Sequence, residues 1–208
     1  MEDQPAGGLA PLYLLAGAPG AGKTTLLPYL LRNAGGLVVM DMDELLEDGA
    51  LLGVPIAEPQ AAPVWPAYDR LWTHIVTMVR RAGTPVLLLC PVPDAHELVP
   101  EGRWGGPVHW ALLDCPDEVR VDRLRARDLG LEWIEEGIED AIEDAAQGRA
   151  LIPLVFRSGS SQTSGSSRNS GSSGSETGSE ELGGDVAGLA SRILSWAGSG
   201  TTTSGAAS

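Results

Sequence analysis

Lysine is nearly missing from this 208-residue chain: Lys23 stands alone beside thirteen arginines. Basic charge is scarce altogether, 14 Lys and Arg against 28 Asp and Glu, for a formal net charge of −14. That balance argues against a nucleic acid backbone or an anionic membrane as the main partner, because both need a basic surface. With two cysteines, Cys90 and Cys115, each at the end of an expected strand, there is no disulfide framework and no metal pair, and both read as buried free thiols. His96 and His109 have no metal-ligand spacing, and His74, between Trp72 and Ile75, reads as a surface or core-edge histidine and not a catalytic base. No apolar run reaches the length of a membrane span, and Met1-Glu2-Asp3-Gln4 lacks the basic start of a secretory signal, so a cytoplasmic location is expected.

The one lysine sits in Gly17-Ala18-Pro19-Gly20-Ala21-Gly22-Lys23-Thr24, a full match to the phosphate-binding pattern GxxxxGK[ST]. A slim ammonium reaches between the β- and γ-phosphates of a nucleotide where a guanidinium does not. The apolar run from Pro11 to Ala16 reads as a buried strand and Thr24 begins a helix. Strand, turn and helix start then present backbone N–H groups and a helix dipole to an anion. ATP is the expected cofactor, held by Gly17 to Thr25, with the Thr24 hydroxyl on Mg²⁺. An unliganded glycine turn is the alternative, and the flanking strand and helix disfavour it.

Strand and helix signals alternate as in an α/β parallel sheet covered on both faces. Further strands are expected at 37–40, 85–90, 108–113 and 154–156. Helices are expected from Thr24 to Asn33 with a kink at Pro28, from Tyr68 to Arg81, along the arginines after Asp117, and from Leu131 to Ala146. Residues 45–66 are too proline-broken for one helix and stand where a substrate-binding insertion belongs. The domain is placed at 10–157 after a flexible start at 1–9. Ser and Gly dominate 158–184, expected as a disordered insertion before a returning helix at 185–196 capped by Asp185, with a disordered tail at 197–208.

In open parallel sheets the ligand lies beyond the carboxyl ends of the strands, which singles out Asp41 and Asp43 after the second strand. Alternation in an extended segment turns both side chains the same way, with Met42 opposite. One carboxylate can then order the water shell of Mg²⁺, assigned to Asp41, while Asp43 takes the proton of an attacking hydroxyl. The competing account makes Asp43 a helix N-cap, which leaves Asp41 unexplained. The third strand ends Cys90-Pro91-Val92-Pro93 with no carboxylate until Asp94, which moves acid–base duty to the aspartate pair.

Arg120, Arg123 and Arg127 share a face of one expected helix. Such arginines, delivered from a lid, stabilise the charge of a migrating phosphoryl group; as a solvated face they would pair with Asp117, Glu118, Asp122 and Asp128.

GxxxxGKT after the first strand, Asp-x-Asp after the second and Arg-Leu-x-x-Arg after the fourth together resemble the P-loop small-molecule kinases, the shikimate, gluconate and adenylate kinase group with the chloramphenicol phosphotransferases and zeta-toxin-like kinases. The resemblance covers about residues 10–157 in element order. It implies a three-layer fold with a five-stranded parallel sheet in order 2-3-1-4-5, Asp43 or Asp41 as base, and Arg123 and Arg127 as lid residues over the ATP phosphates. The chain departs from the group in two places: no glycine run follows the third strand, and 45–84 holds only Arg70, Arg80 and Arg81. Arg80 and Arg81 are expected at the opposite edge of the sheet, which leaves Arg70 as the substrate cation. Trp65 and Tyr68 are candidates to stack on a planar substrate, against the plainer reading of core filling.

The expected activity is ATP-dependent phosphoryl transfer to a small metabolite, a nucleotide or nucleoside foremost, with Lys23, Asp41, Asp43, Arg123 and Arg127 as catalytic residues. Small-molecule acceptors are the expected partners, with no nucleic acid and no membrane. A P-loop ATPase or switch acting through a protein partner is the alternative, separated by whether an acceptor stimulates turnover. An RNA-end kinase lacks the basic stripe it would need.

Overall fold

The structure, a computed structural model, describes residues 8–47, 49–55, 59–99, 102–127, 131–159 and 180–199. Five parallel strands form the central sheet: β1 (Leu12–Ala16), β2 (Val38–Asp41), β5 (Val86–Cys90), β6 (Val108–Asp114) and β7 (Val155–Arg157). β3 (Ala50–Leu51) and β4 (Val54–Pro55) make a separate antiparallel hairpin. The sheet order is β2-β5-β1-β6-β7. With the hairpin set aside this is second, third, first, fourth, fifth, as the resemblance implies.

Every residue of β1 and β5 is buried, because helices cover both faces. Alternation in β1 sends Tyr13 and Leu15 to one core, packed on α1 (Lys23–Arg32) and α5 (Glu180–Gly198), and Leu12, Leu14 and Ala16 to the other, packed on α2 (Trp65–Arg81). α3 (Asp117–Arg125) and α4 (Leu131–Leu151) pack together through Leu124, Ile138 and Ala141. Register aligns the strand ends: Ala16 pairs with Cys90 and Asp41 with Leu89, and the Gly17 N–H donates to the Cys90 carbonyl at 3.1 Å. The phosphate loop and the aspartate pair therefore leave the sheet at one edge.

At the opposite edge Arg80 is buried and donates to the carbonyls of Ala10 (2.6 Å), Trp104 (2.7 Å) and Pro107 (3.1 Å), which agrees with the placement expected for it. Both cysteines are buried and free, and burial pushes the Cys90 thiol up to about 12. His109 stacks on Tyr13, and among the described residues no group of His, Cys, Asp and Glu could hold a metal ion. No described helix is long and apolar enough to cross a membrane.

Several boundaries differ from the expectation. α1 begins at Lys23 and ends at Arg32, with Pro28 inside it. α2 begins at Trp65, with Pro66 at a first-turn position where its missing N–H does no harm. α5 begins at Glu180, so Asp185 lies inside it and is no cap. The Ser/Gly tract falls outside the described residues except at its ends; at the first of these, Ser158 is buried and its hydroxyl donates to the Ala21 carbonyl at 2.6 Å. The folded body thus continues past 157, held by the phosphate loop itself.

Candidate active site

The loop geometry depends on glycines. Gly20 (φ 78°) and Gly22 (φ 102°) are left-handed, and a Cβ on Gly17 would stand 3.1 Å from the Leu113 carbonyl oxygen. Gly22 caps α1 with no side-chain hydrogen bond, and the first turn of α1 carries no acidic residue. A helix start left without its own side-chain acceptor or negative charge fits an incoming phosphate. Thr24 and Thr25 are exposed there. Lys23 Nζ donates to the Gly17 carbonyl, which holds the ammonium over the loop. Burial lowers the Lys23 pKa, Asp43 and then Asp41 pull it back up, and Arg127 adds to the lowering. Lysine, both aspartates and Arg127 therefore share one electrostatic field.

The aspartates sit differently from the extended alternation expected of them. β2 ends at Asp41, and Met42–Leu45 forms a 3-10 turn, so Asp41 is buried while Asp43 is exposed. The cap is Asp41, not Asp43: Asp41 Oδ1 accepts the Asp43 N–H at 3.1 Å. That capping bond does not use the Asp43 carboxylate, whose charge acts on Lys23. Burial raises the Asp41 pKa, only partly opposed by its backbone hydrogen bond and by Lys23.

A raised carboxyl pKa has a definite sign in folding. Above the ordinary value of 3.8 the unfolded chain releases this proton while the folded chain retains it, so stability falls as pH rises through the folded pKa and stays reduced above it. Asp41→Asn keeps an oxygen for the cap and removes the buried charge. Its melting temperature is expected to exceed that of the parent at neutral pH, with the gain fading as pH falls through the folded pKa toward 3.8 and absent below it. Thermal melts across that range check this, and an unchanged or lower melting temperature at pH 7 would contradict it.

The arginines divide into anchors and one reaching group. Arg120 is fully buried, donating to Asp114 Oδ1 (2.7 Å) and the Pro19 carbonyl (2.7 Å). Arg123 Nη1 donates to the Gly20 carbonyl (3.0 Å) and Ser158 Oγ (3.1 Å). Arg123, expected as a lid residue, here clamps the phosphate loop. α3 ends at Arg125, so Arg127 lies beyond the helix and not on its face; it is exposed and acts on Lys23. Beside the clamp, a crevice of about 70 Å³ is lined by Gly22, Thr25, Arg123, Ser158, Gly159 and Leu189, among others.

A second cavity, of about 220 Å³, opens past the end of β5. Trp65, Trp104 and Trp110 line it with Met42, Asp69, Glu97 and Arg103. Of the substrate residues expected from sequence, only Trp65 reaches it. Tyr68 is buried between Trp65 and Trp72 with its hydroxyl donating to the Met42 carbonyl, so it supports the aspartate turn and offers no stacking face. Arg70 is exposed and lies about 200° round α2 from Tyr68, away from the sheet. The cavity's cation is Arg103, which belongs to no motif and was therefore passed over, as were Asp69, Glu97 and Trp110. Asp144 was missed too: its pKa is raised by burial and opposed by Lys23 and Arg120, and one turn on Gln147 donates to the Pro93 carbonyl at 3.0 Å.

The Zeta toxin family model matches residues 3–47, a span that ends just after the aspartate turn. No curated protein matches the sequence. Among solved structures, shikimate kinase from Acinetobacter baumannii in complex with shikimate is 20% identical with a TM-score of 0.52, covering 94% of this chain and 96% of that one. Shikimate kinase from Bacteroides thetaiotaomicron is 14% identical with a TM-score of 0.54, covering 90% and 98%. A sugar kinase from Janibacter sp. is 18% identical with a TM-score of 0.53, covering 90% and 94%. The chain has the fold of the P-loop kinases.

Proposed function

We propose that this protein is an ATP-dependent phosphotransferase that moves the γ-phosphate of Mg·ATP to a hydroxyl of a small metabolite. The observation that carries the reading is the electrostatic coupling of Lys23, at the start of α1, to the exposed Asp43, in the turn after β2, with Met42 of that turn lining a cavity distinct from the phosphate loop. A hydrolytic switch needs the loop and a water; it has no use for an aromatic-lined acceptor cavity. The ring-bearing lining suits a nucleoside better than an open-chain sugar acid.

In this mechanism backbone N–H groups of 17–25 and the Lys23 ammonium hold the β- and γ-phosphates, and the crevice beside Arg123, Ser158 and Gly159 takes the base. Mg²⁺ would be held by the Thr24 hydroxyl and the phosphates, its waters ordered by Asp41; bound there it neutralises charge on the phosphates. This fits a site with no cluster of protein ligands among the described residues, since Mg²⁺ keeps much of its water shell. The Asp43 carboxylate accepts the acceptor hydroxyl's proton as the new O–P bond forms and the bond to the β-phosphate oxygen breaks, releasing ADP. Arg127 stabilises charge on the migrating group.

The test is acceptor-dependent ADP formation with Mg·ATP, run beside Lys23→Met. The variant is expected to lose about 10²–10³-fold in kcat/KM, the scale for removing one preorganised charge donor from developing negative charge. Turnover that no acceptor stimulates, in a protein that still binds ATP, would overturn the phosphotransferase reading in favour of a switch.

A further inference from the structure

The cavity at the end of β5 contains one cation and a surplus of negative charge. Arg103 is the only cationic side chain among the described residues lining it. Its guanidinium is already shared: Nη1 lies 2.9 Å from Asp69 Oδ1 and 3.4 Å from Glu97 Oε1, and its carbon sits 4.5 Å from the centroid of the Trp104 ring. Two carboxylates on one guanidinium leave the trio one negative charge in excess.

One wall of the cavity carries an unmet polar group. Trp104 is 3% exposed, and its indole Nε1 has no hydrogen-bond partner among the described residues. A buried N–H without an acceptor is uncommon, and a ligand oxygen is one way to complete it. Aromatic walls, a spare donor and a guanidinium held by two carboxylates together describe a binder of flat, oxygen-bearing molecules that is closed to anions.

We propose that this cavity admits only acceptors without an anionic group, so that the substrate is an uncharged or cationic hydroxyl compound built on a flat ring. The inference rests on the phosphotransferase reading for the word acceptor, and on Asp69, Glu97, Arg103 and Trp104 for the selection. A phosphate or carboxylate entering here meets two carboxylates set against a single guanidinium, so nucleoside monophosphates and sugar acids are rejected by like charge.

Two measurements on the full chain separate this from the activity itself. The first is quenching of tryptophan fluorescence by caesium against iodide in the parent, in Asp69→Asn/Glu97→Gln, and in Glu118→Gln/Glu139→Gln, which removes the same charge from exposed helix positions. The caesium-to-iodide ratio is expected to fall roughly twofold in the cavity variant and to stay near the parent value in the control. The second is ADP formation with nucleosides and amino alcohols against nucleoside monophosphates and sugar acids. A preference of at least about tenfold in kcat/KM for the uncharged or cationic acceptors is expected, shrinking in the cavity variant as Arg103 is released. An anionic acceptor used as well as its uncharged counterpart, or a quenching ratio equal in all three proteins, would overturn the selection. A silent acceptor panel would count against the phosphotransferase reading alone, because the quenching still decides the sign of the cavity.

Discussion

Arg120→Ala is expected to lower the stability of the fold by about 3–5 kcal/mol, the usual result of removing one partner from a buried ion pair. Asp114 and Arg120 are 1% and 0% exposed, and their 2.7 Å contact joins the end of β6 to α3. The same guanidinium fixes the Pro19 carbonyl of the phosphate loop. Its loss leaves the Asp114 carboxylate buried with only the longer contacts to Arg149 (3.3 Å) and Arg157 (3.9 Å). Urea unfolding at neutral pH measures the effect through the midpoint. The double variant Arg120→Met/Asp114→Leu should recover a large part of the lost stability, because the cost lies in the unpaired charge more than in the missing attraction. A drop below about 1 kcal/mol for Arg120→Ala would mean the pair is no more than a surface contact.

Asp43→Asn is expected to leave the fold intact and to reduce kcat by about 10²–10⁴-fold, the range for losing a positioned general base. The side chain is exposed, and the capping bond at this turn uses the Asp43 N–H, which asparagine retains. Stability should therefore move by no more than about 0.5 kcal/mol. The KM for ATP should also hold, since the phosphate loop keeps its contacts, and the loss should appear in the chemical step. Asp41→Asn gives a contrast, because its buried carboxylate raises the cost of folding while Asp43 does not carry that burden. Wild-type kcat in Asp43→Asn, with any acceptor that the parent uses, would remove the residue from catalysis.

The parts of the site that were legible in the sequence are contiguous in it. Strand, glycine loop and helix start from Leu12 to Leu31 form one local unit whose backbone conformation is dictated by Gly20 and Gly22, so the motif carried its own geometry. The aspartate pair was legible in location, because any residue after a parallel strand lies at the ligand edge. Its inner arrangement was not: a 3-10 turn at Met42–Leu45 broke the alternation and exchanged the roles of cap and free carboxylate. The arginines were legible as a group, but not that Arg120 and Arg123 would bond to the phosphate loop or that Arg127 would lie past the end of α3. Ser158, 35 residues after Arg123, was hidden inside a Ser/Gly-rich composition that reads as linker.

Residue order along the chain fixed an α/β sheet with its phosphate site, since strand burial, glycine placement and helix starts are all set by neighbours a few positions away. The cavity at the end of β5 was decided only by the tertiary structure. Asp69 lies on α2, Glu97 and Arg103 on the segment between β5 and β6, and nothing short of packing that segment against α2 brings a guanidinium 2.9 Å from the first carboxylate and 3.4 Å from the second. Ion pairing between distant segments leaves no periodicity to read, because its reach is through space and its partners are chosen by where the backbone has already been placed.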